Sequence, residues 1–311
     1  MQQRRYIKLI IFSIILLFIT AGCKEEKKDN SFVSPFIGGN KGLIAEFEEM
    51  GFFNEKSGME EIFEGEAFPI EVVLKNKGEH TNTAGMATVT LLGININDFT
   101  GIVSNGVLQN TAEIEKISEF NKEGGEIILD FTSGNEDAKY EIPLVGLSYD
   151  ISVFANVVYE YKTYAAVPKV CFKGNLNDPS VCEVEEIKDV FSSGAPIQVQ
   201  SAEEKRAGTG RVSVEFKIEN VGTGKVTKPG ANFDPRYDQL SYTVSDANNW
   251  DCRSSGRSNE ARLDENGKAT IICKWDGTPL TNNDLYTKQL DLALSYKYKE
   301  LVHKQLRIKK Q

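Results

Sequence analysis

RVSVEFKIENVGTGK, residues Arg211–Lys225, is the stretch that decides the fold class. Apolar and polar residues alternate along it, and the apolar set is Val212, Val214, Phe216 and Ile218. Alternation with a period of two predicts an antiparallel strand with one face in a core and the other toward solvent. We expect the strand to end at Asn220-Val221-Gly222, because glycine permits the positive φ that many turns need.

The chain contains an earlier copy of this pattern. Pro69–Glu79, PIEVVLKNKGE, alternates in the same way and ends in Asn76-Lys77-Gly78. Each copy is followed by a distant strand with the motif Tyr-x-Tyr-Lys, at Tyr159–Lys162 and at Tyr296–Lys299. The two Asn-x-Gly motifs are 144 residues apart and the two Tyr-x-Tyr-Lys motifs are 137 residues apart. We interpret these nearly equal offsets as a tandem duplication, an internal repeat.

The tyrosines of the two motifs could belong to a core or to a carbohydrate-binding surface. They alternate with charged residues, and successive side chains of a strand point to opposite faces. The alternation therefore favours the inward face for all four, which are Tyr159, Tyr161, Tyr296 and Tyr298.

Short strands with turn residues between them, and no sustained helical period, predict an all-β fold. We expect two tandem immunoglobulin-like antiparallel β-sandwiches, the first at residues 42–190 and the second at 194–311. The chain has 311 residues, of which 40% are hydrophobic. This length is sufficient for two domains with separate cores.

The pattern V-x-V-x-(F/L)-x-(I/K)-x-N-x-G, followed at a distance by a Y-x-Y strand, resembles the immunoglobulin-like domains of bacterial and archaeal cell-surface proteins. These include the cell-adhesion-related type that is abbreviated CARDB. The matching positions form a short part of each domain and mostly record sandwich packing. The resemblance implies a stalk, adhesion or scaffold role, and it implies no catalytic residues.

The N-terminus resembles an export signal with a lipid-attachment site. Residues 1–22 combine early basic residues with the uncharged run Leu9–Gly22, which is shorter than the ~20 apolar residues of a comfortable membrane span. Thr20-Ala21-Gly22-Cys23 resembles the lipobox of prokaryotic lipoproteins, although Thr20 stands where the family prefers Leu. We therefore expect a signal peptide at 1–22, a lipidated Cys23 and a tether to residue 41. The predicted location is the extracytoplasmic face of the membrane, with an uncleaved signal anchor as the alternative.

The other four cysteines form an even set, as expected in an exported chain. Cys171 and Cys182 enclose a loop with Gly, Asn, Asp and Pro turn signals. Cys252 and Cys273 flank a segment in which Asn266-Gly267 predicts a hairpin turn. The spacing therefore predicts two local disulfides, each of which would stabilise the fold by ~2–4 kcal/mol.

Little in the chain indicates chemistry. Without residues 1–22 it carries 33 basic and 45 acidic residues, a net charge of −12, which disfavours nucleic acid as a partner. His80 and His303 lie in no motif, no phosphate-binding loop is present, and CxxC metal spacing is absent. We predict no enzymatic activity and no cofactor. Calcium is a weaker alternative, with oxygen ligands from Asp246, Asn248 and Asp251.

The candidate partner surface lies in two segments without strand periodicity, PGANFDPRYDQ and NNWDCRSSGR. Aromatic residues and Arg are enriched in interface hot spots, and the candidates are Phe233, Arg236, Tyr237, Trp250 and Arg253. The alternative is that Phe233, Tyr237 and Trp250 close the ends of the sandwich.

The leading hypothesis is a non-enzymatic, membrane-anchored extracytoplasmic protein that serves adhesion, envelope scaffolding or assembly. Its partners would be the membrane, through a lipid or signal anchor, and other surface proteins or an envelope polymer. The alternative is a lipoprotein that captures a saccharide or peptide between the two domains.

Overall fold

The computed structural model describes residues 33–132, 136–178 and 181–311. Ser34–Gln311 form one compact unit. The predictions for the signal peptide, for Cys23 and for most of the tether lie outside the described residues. Within the described ranges, no helix has the length and apolar character needed to cross a membrane.

The described chain consists of strands and two single-turn 3₁₀ helices, Ile96–Asp98 and Ser104–Gly106. The strands are β1 (Leu43–Phe47), β2 (Phe52–Asn54), β3 (Met59–Phe63), β4 (Ala67–Phe68), β5 (Glu71–Asn76), β6 (Ala87–Leu92), β7 (Phe99–Thr100), β8 (Val107–Gln109), β9 (Glu126–Asp130), β10 (Ala138–Tyr140), β11 (Ser148–Lys173), β12 (Ile187–Lys188), β13 (Phe191–Ser192), β14 (Ile197–Arg206), β15 (Val212–Asn220), β16 (Lys225–Thr227), β17 (Asp238–Val244), β18 (Trp250–Ser254), β19 (Arg257–Ser258), β20 (Glu260–Leu263), β21 (Lys268–Trp275) and β22 (Leu285–Lys309). The prediction of an all-β fold is confirmed.

The two copies of the opening pattern occupy equivalent places in two sheets. In the first repeat, β5 lies between β1 and β9, and in the second repeat β15 lies between β14 and β21. Leu43 is opposite Asn76 in the first sheet, and Ile197 is opposite Asn220 in the second. These sheets pack against a ten-stranded sheet to which both repeats contribute. The arrangement is a pair of β-sandwiches that share one of their layers.

The shared layer is centred on the two longest strands, β11 and β22. They pair antiparallel from Ser148 opposite Lys309 to Lys173 opposite Leu285. Tyr159 is opposite Tyr298, and Tyr161 is opposite Tyr296, so the two repeats are related by a pseudo-twofold axis close to the Glu160–Lys297 pair.

The shared layer changes the domain organisation expected from the chain length. Ranges 42–190 and 194–311 were expected to have separate cores, but their buried apolar residues form one continuous cluster. The reason is that the inward faces of β11 and β22 lie side by side in one sheet, so the cores of the two repeats merge across this strand pair.

The Asn-x-Gly and Tyr-x-Tyr-Lys motifs meet in space, once in each repeat. The Tyr161 hydroxyl donates to Asn76 Oδ1 at 3.0 Å, and the Tyr298 hydroxyl donates to Asn220 Oδ1 at 3.1 Å. The same oxygens accept the N–H of Gly78 and Gly222, each at 3.2 Å. We call each of these arrangements a tyrosine–asparagine corner. Their matching hydrogen bonds support the interpretation of the chain as an internal repeat.

The reason for glycine in these corners differs from the prediction. Neither Gly78 nor Gly222 has a positive φ. A Cβ at Gly78 would instead collide with the Tyr161 hydroxyl, and one at Gly222 would collide with the Tyr298 hydroxyl. A Cβ at Gly78 would also collide with the backbone carbonyls of Lys41 and Gly194. Glycine is therefore required because a tyrosine, joined at Gly78 by two backbone carbonyls, approaches the backbone closely.

Both predicted disulfides, Cys171–Cys182 and Cys252–Cys273, are confirmed. Cys252 on β18 lies opposite Cys273 on β21. The turn at Asn266-Gly267 is present, with a φ of 73° at Gly267, but it does not form the predicted hairpin. It leads from β20, which pairs with β17, to β21 in another sheet. Disulfides are typical of oxidising, extracytoplasmic locations.

Candidate binding sites

Trp250, one of the predicted partner-binding residues, is buried. Only 6% of its surface is exposed, and its ring packs edge-on against Trp275 at 5.4 Å and Phe172 at 6.0 Å. Trp250 therefore belongs to the core and is not a surface contact. The structure agrees with the alternative prediction for this residue, that it closes the end of the sandwich, because the Trp250 side chain on β18 points inward.

Three other candidates lie in the segment before β17. The Arg236 guanidinium bonds both carboxylate oxygens of Asp234, at 2.9 and 2.7 Å, and lowers the pKa of that carboxyl. The Arg262 guanidinium stacks 4.0 Å from the centre of the Tyr237 ring. Lys299 Nζ lies 4.6 Å from the centre of the Phe233 ring. Cations thus hold these aromatic rings on the surface of the second repeat.

Arg236 and Tyr237 line a cavity of about 430 Å³ beside the second tyrosine–asparagine corner. Arg253, the remaining candidate, is exposed on β18 and paired with Asp251 at 3.1 Å. Phe233, Arg236 and Tyr237 are therefore neighbours along one segment, whereas Trp250 and Arg253 belong to a strand of another sheet.

The weak calcium candidates are engaged in other interactions. Asp246 forms an ion pair with Lys288 at 2.6 Å, and this hydrogen bond lowers the pKa of Asp246. Asp251 pairs with Arg253, and Asn248 is exposed. In the part of the chain that the structure describes, no group of three or more His, Cys, Asp or Glu side chains could hold a metal ion.

A second cavity lies at the junction of the two repeats, and we call it the junction cavity. Its volume is about 250 Å³, and both repeats line it. The lining residues are His80, Thr81, Asn82, Thr83, Met86, Glu160, Tyr161, Lys162, Pro229, Ser295 and Tyr296.

The junction cavity exists because the two strands that pair with this edge of β11 leave a gap between them. β6 pairs with β11 as far as Tyr159, and β13 begins to pair at Ala165. The segment that follows the first corner fills part of the gap, since Asn82 Nδ2 donates to the Glu160 carbonyl at 2.9 Å. The Oδ1 atom of Asn82 is buried and has no hydrogen-bond partner among the described residues.

His80 is partly enclosed by two tyrosine rings. Its ring packs edge-on against Tyr161 at 5.3 Å, and its Nδ1 lies 3.5 Å from the Tyr164 hydroxyl. Burial, with the nearby charges of Lys162 and Lys116, lowers the pKa of His80 to about 4. The imidazole is therefore uncharged at neutral pH and can both donate and accept a hydrogen bond.

A buried ion pair lies beside the first disulfide. Glu204 is completely buried, pairs with Lys188 at 2.9 Å, and accepts the Cys171 N–H at 2.9 Å. Burial raises the pKa of Glu204 to about 7. The carboxylate orients the backbone at Cys171 and holds β12 against β14, which is a structural role.

Glu79 binds the start of the described chain to the link between the repeats. Its carboxylate accepts the N–H groups of Ile37 at 3.0 Å, Gly38 at 2.8 Å and Gly194 at 2.7 Å. The chain therefore enters the compact unit at the junction of the two repeats.

Comparison with known proteins gives no family. No family model matches the chain, and no curated protein matches it. Among solved structures, a secreted serine protease, VesC from Vibrio cholerae, is similar over 82% of this chain and 50% of its own, with 11% identity and a TM-score of 0.15. The chain thus spans about half the length of that protein. A similarity at this level carries no argument about function.

The sequence did not identify the junction cavity. His80 and Asn82 follow an Asn-x-Gly turn, which was the only local signal. Lys162 and Ser295 lie far apart in the sequence and become neighbours only through the pairing of β11 with β22.

Proposed function

We propose that this protein is a membrane-anchored, extracytoplasmic, non-enzymatic scaffold that presents two fused β-sandwiches to other components of the cell envelope. The observation that carries the proposal is the β11–β22 pair. Its ladder joins both repeats in one sheet, so the repeats belong to one compact unit and are not two domains joined by a flexible link. The alternative, a lipoprotein that captures a ligand by closing a groove between two domains, requires such a link.

The anchoring part of the proposal rests on the lipobox-like sequence at Cys23 and on the two disulfides. The test is to express the full chain in a bacterial host, separate membranes from soluble material and measure the intact mass of the membrane form. Cys23→Ser should move the protein out of the membrane fraction, and Cys23 should begin the mature lipidated chain. Thr20→Leu is the matched control and should leave the protein on the membrane.

The lipid-anchoring part of the proposal is wrong if the Cys23→Ser variant remains in the membrane fraction at the wild-type level. A mass that retains residues 1–22 would indicate a signal anchor instead.

Contact with a partner is supported by exposed apolar side chains at the end of the sheet where β11 begins and β22 ends. Val145 and Leu147 precede β11 and are 104% and 87% exposed, and Phe52 on the edge strand β2, three strands across the same sheet, is 77% exposed. Apolar side chains that together form a contiguous exposed patch mark interaction sites. The double variant Val145→Ser and Leu147→Ser should therefore decrease cross-linked complexes in intact cells without lowering stability.

Ile187→Ser removes an exposed apolar side chain from β12, which belongs to another sheet, and is the control for this variant. Unchanged complexes in the double variant would argue against a partner at this end of the sheet.

A further inference from the structure

On the edge of β11 inside the junction cavity, the backbone groups of Lys162 have no hydrogen-bond partner among the described residues. The Glu160 N–H donates to the Met86 carbonyl at 3.0 Å, and the Tyr164 carbonyl accepts the Ser193 N–H at 2.8 Å. Alternate residues of a strand direct their backbone groups to the same edge. The N–H and C=O of Lys162 therefore face this edge, and neither bonds to another described residue.

An adjacent N–H donor and C=O acceptor on a strand edge complement a ligand that carries one amide. The acetamido group has this chemistry, with one N–H and one C=O. The surrounding side chains suit the rest of a sugar, since Thr83 and Ser295 offer hydroxyl groups and the neutral imidazole of His80 both donates and accepts.

The charge and size of the junction cavity narrow the choice of ligand. Glu160 and Lys162 contribute opposite charges, which favours a neutral ligand over an ionic one. The volume of about 250 Å³ is below the range typical of drug-sized ligands, so the cavity suits a single sugar unit. Pro229 and Met86 offer apolar surface for the face of the ring.

We propose that the junction cavity binds one N-acetylated amino sugar, with its acetamido group on the backbone of Lys162. This inference rests on the proposed function in one respect, because it identifies the scaffold's partner as an envelope polymer that contains such sugars. The binding itself does not depend on the lipid anchor.

The test is a titration of the detergent-solubilised full chain with N-acetylglucosamine, followed by saturation-transfer NMR. A ligand of this size should bind with a dissociation constant of about 1 mM. The acetyl methyl group should receive the strongest saturation. Glucosamine and glucose lack the acetamido group, so each should bind at least about tenfold more weakly than N-acetylglucosamine. Equal affinity for the three sugars, or no saturation transfer, overturns the proposal.

Two variants test the location of the site. Ser295→Phe fills the junction cavity and should abolish binding, whereas Ala293→Phe adds the same ring two residues along the same face of β22 and should retain it. Thr83→Val removes a hydroxyl with little change of shape and should weaken binding several-fold. Equal loss in both Phe variants would place the sugar elsewhere.

If the protein binds the sugar but does not associate with the membrane, the proposed sugar site stands and the proposed lipid anchor is refuted. If the protein associates with the membrane but does not bind the sugar, only the proposed sugar site is refuted.

Discussion

The four core tyrosines offer a test of the tyrosine–asparagine corners, because their hydroxyl groups have different environments. The Tyr161 hydroxyl donates to Asn76 Oδ1 and accepts the His80 N–H at 3.3 Å. The Tyr159 hydroxyl, two residues earlier on the same face, is buried and has no hydrogen-bond partner among the described residues. Replacement by Phe removes only the hydroxyl group, so the two variants should have opposite effects.

Tyr161→Phe should lower the free energy of unfolding by about 1–2 kcal/mol, because the His80 N–H loses its acceptor and Asn76 loses a donor. Tyr298→Phe should have a similar effect, since the Tyr298 hydroxyl accepts the Gly224 N–H at 2.9 Å in the second repeat. Tyr159→Phe should raise the free energy of unfolding by about 1 kcal/mol, because a buried hydroxyl without a partner carries an uncompensated desolvation cost.

The assay is urea denaturation of the four proteins with intact disulfides, monitored by tryptophan fluorescence and far-ultraviolet circular dichroism. The unfolding slopes should agree among the variants, so that differences in midpoint report stability. If Tyr159→Phe destabilises the protein as much as Tyr161→Phe, the loss comes from ring packing, and our hydrogen-bond explanation is wrong.

Two further predictions concern Glu204 and the corner glycines. Because the pKa of Glu204 rises from 4.5 to about 7 on folding, the folded state binds more protons in this range. The free energy of unfolding should therefore fall by up to about 3 kcal/mol as the pH rises from 4.5 to 7, and this fall should disappear in Glu204→Gln. Thermal melts across that pH range measure the effect. If the variant loses stability with pH as steeply as the wild type, Glu204 is not the group responsible. Gly78→Ala and Gly222→Ala should each destabilise by several kcal/mol, because the new Cβ collides with a tyrosine hydroxyl and, at Gly78, with two backbone carbonyls as well. At Gly146 a new Cβ would make only an ordinary contact of 3.8 Å with the Ser148 carbonyl oxygen and φ is not positive, so Gly146→Ala should lie within about 0.5 kcal/mol of wild type. Equal melting temperatures for Gly78→Ala and Gly146→Ala would refute the close approach.

Local sequence patterns were sufficient to predict which strand residues face the core and which cysteines form disulfides. Alternation predicted that Val212, Val214, Phe216 and Ile218 face the core, and all four are buried. The same rule placed the four tyrosines inward, and each is at most 1% exposed. The spacing of the cysteines predicted both pairs. These features depend on neighbours in the sequence, so the sequence alone carries the information.

The role of the corner glycines could not be derived locally. An Asn-x-Gly sequence is compatible with a positive φ, and the sequence does not show that a tyrosine from a distant strand approaches the glycine. Likewise Trp250 lies in a segment for which the sequence shows no strand periodicity, and only the pairing of β18 with β21 shows that the ring is enclosed. Interaction surfaces and the closed ends of β-sandwiches contain the same types of aromatic residue, so composition does not distinguish them.

The sequence by itself determined that this is an all-β, internally repeated chain with two local disulfides. The tertiary structure decided that the repeats share a sheet, that their cores merge, and that a cavity forms at their junction. The physical reason is that the edge groups of a strand can pair with any other strand of suitable register. The period-two patterns of β11 and β22 are satisfied equally by separate sandwiches and by a shared layer, and only the pairing of Tyr159 with Tyr298 selects the second arrangement.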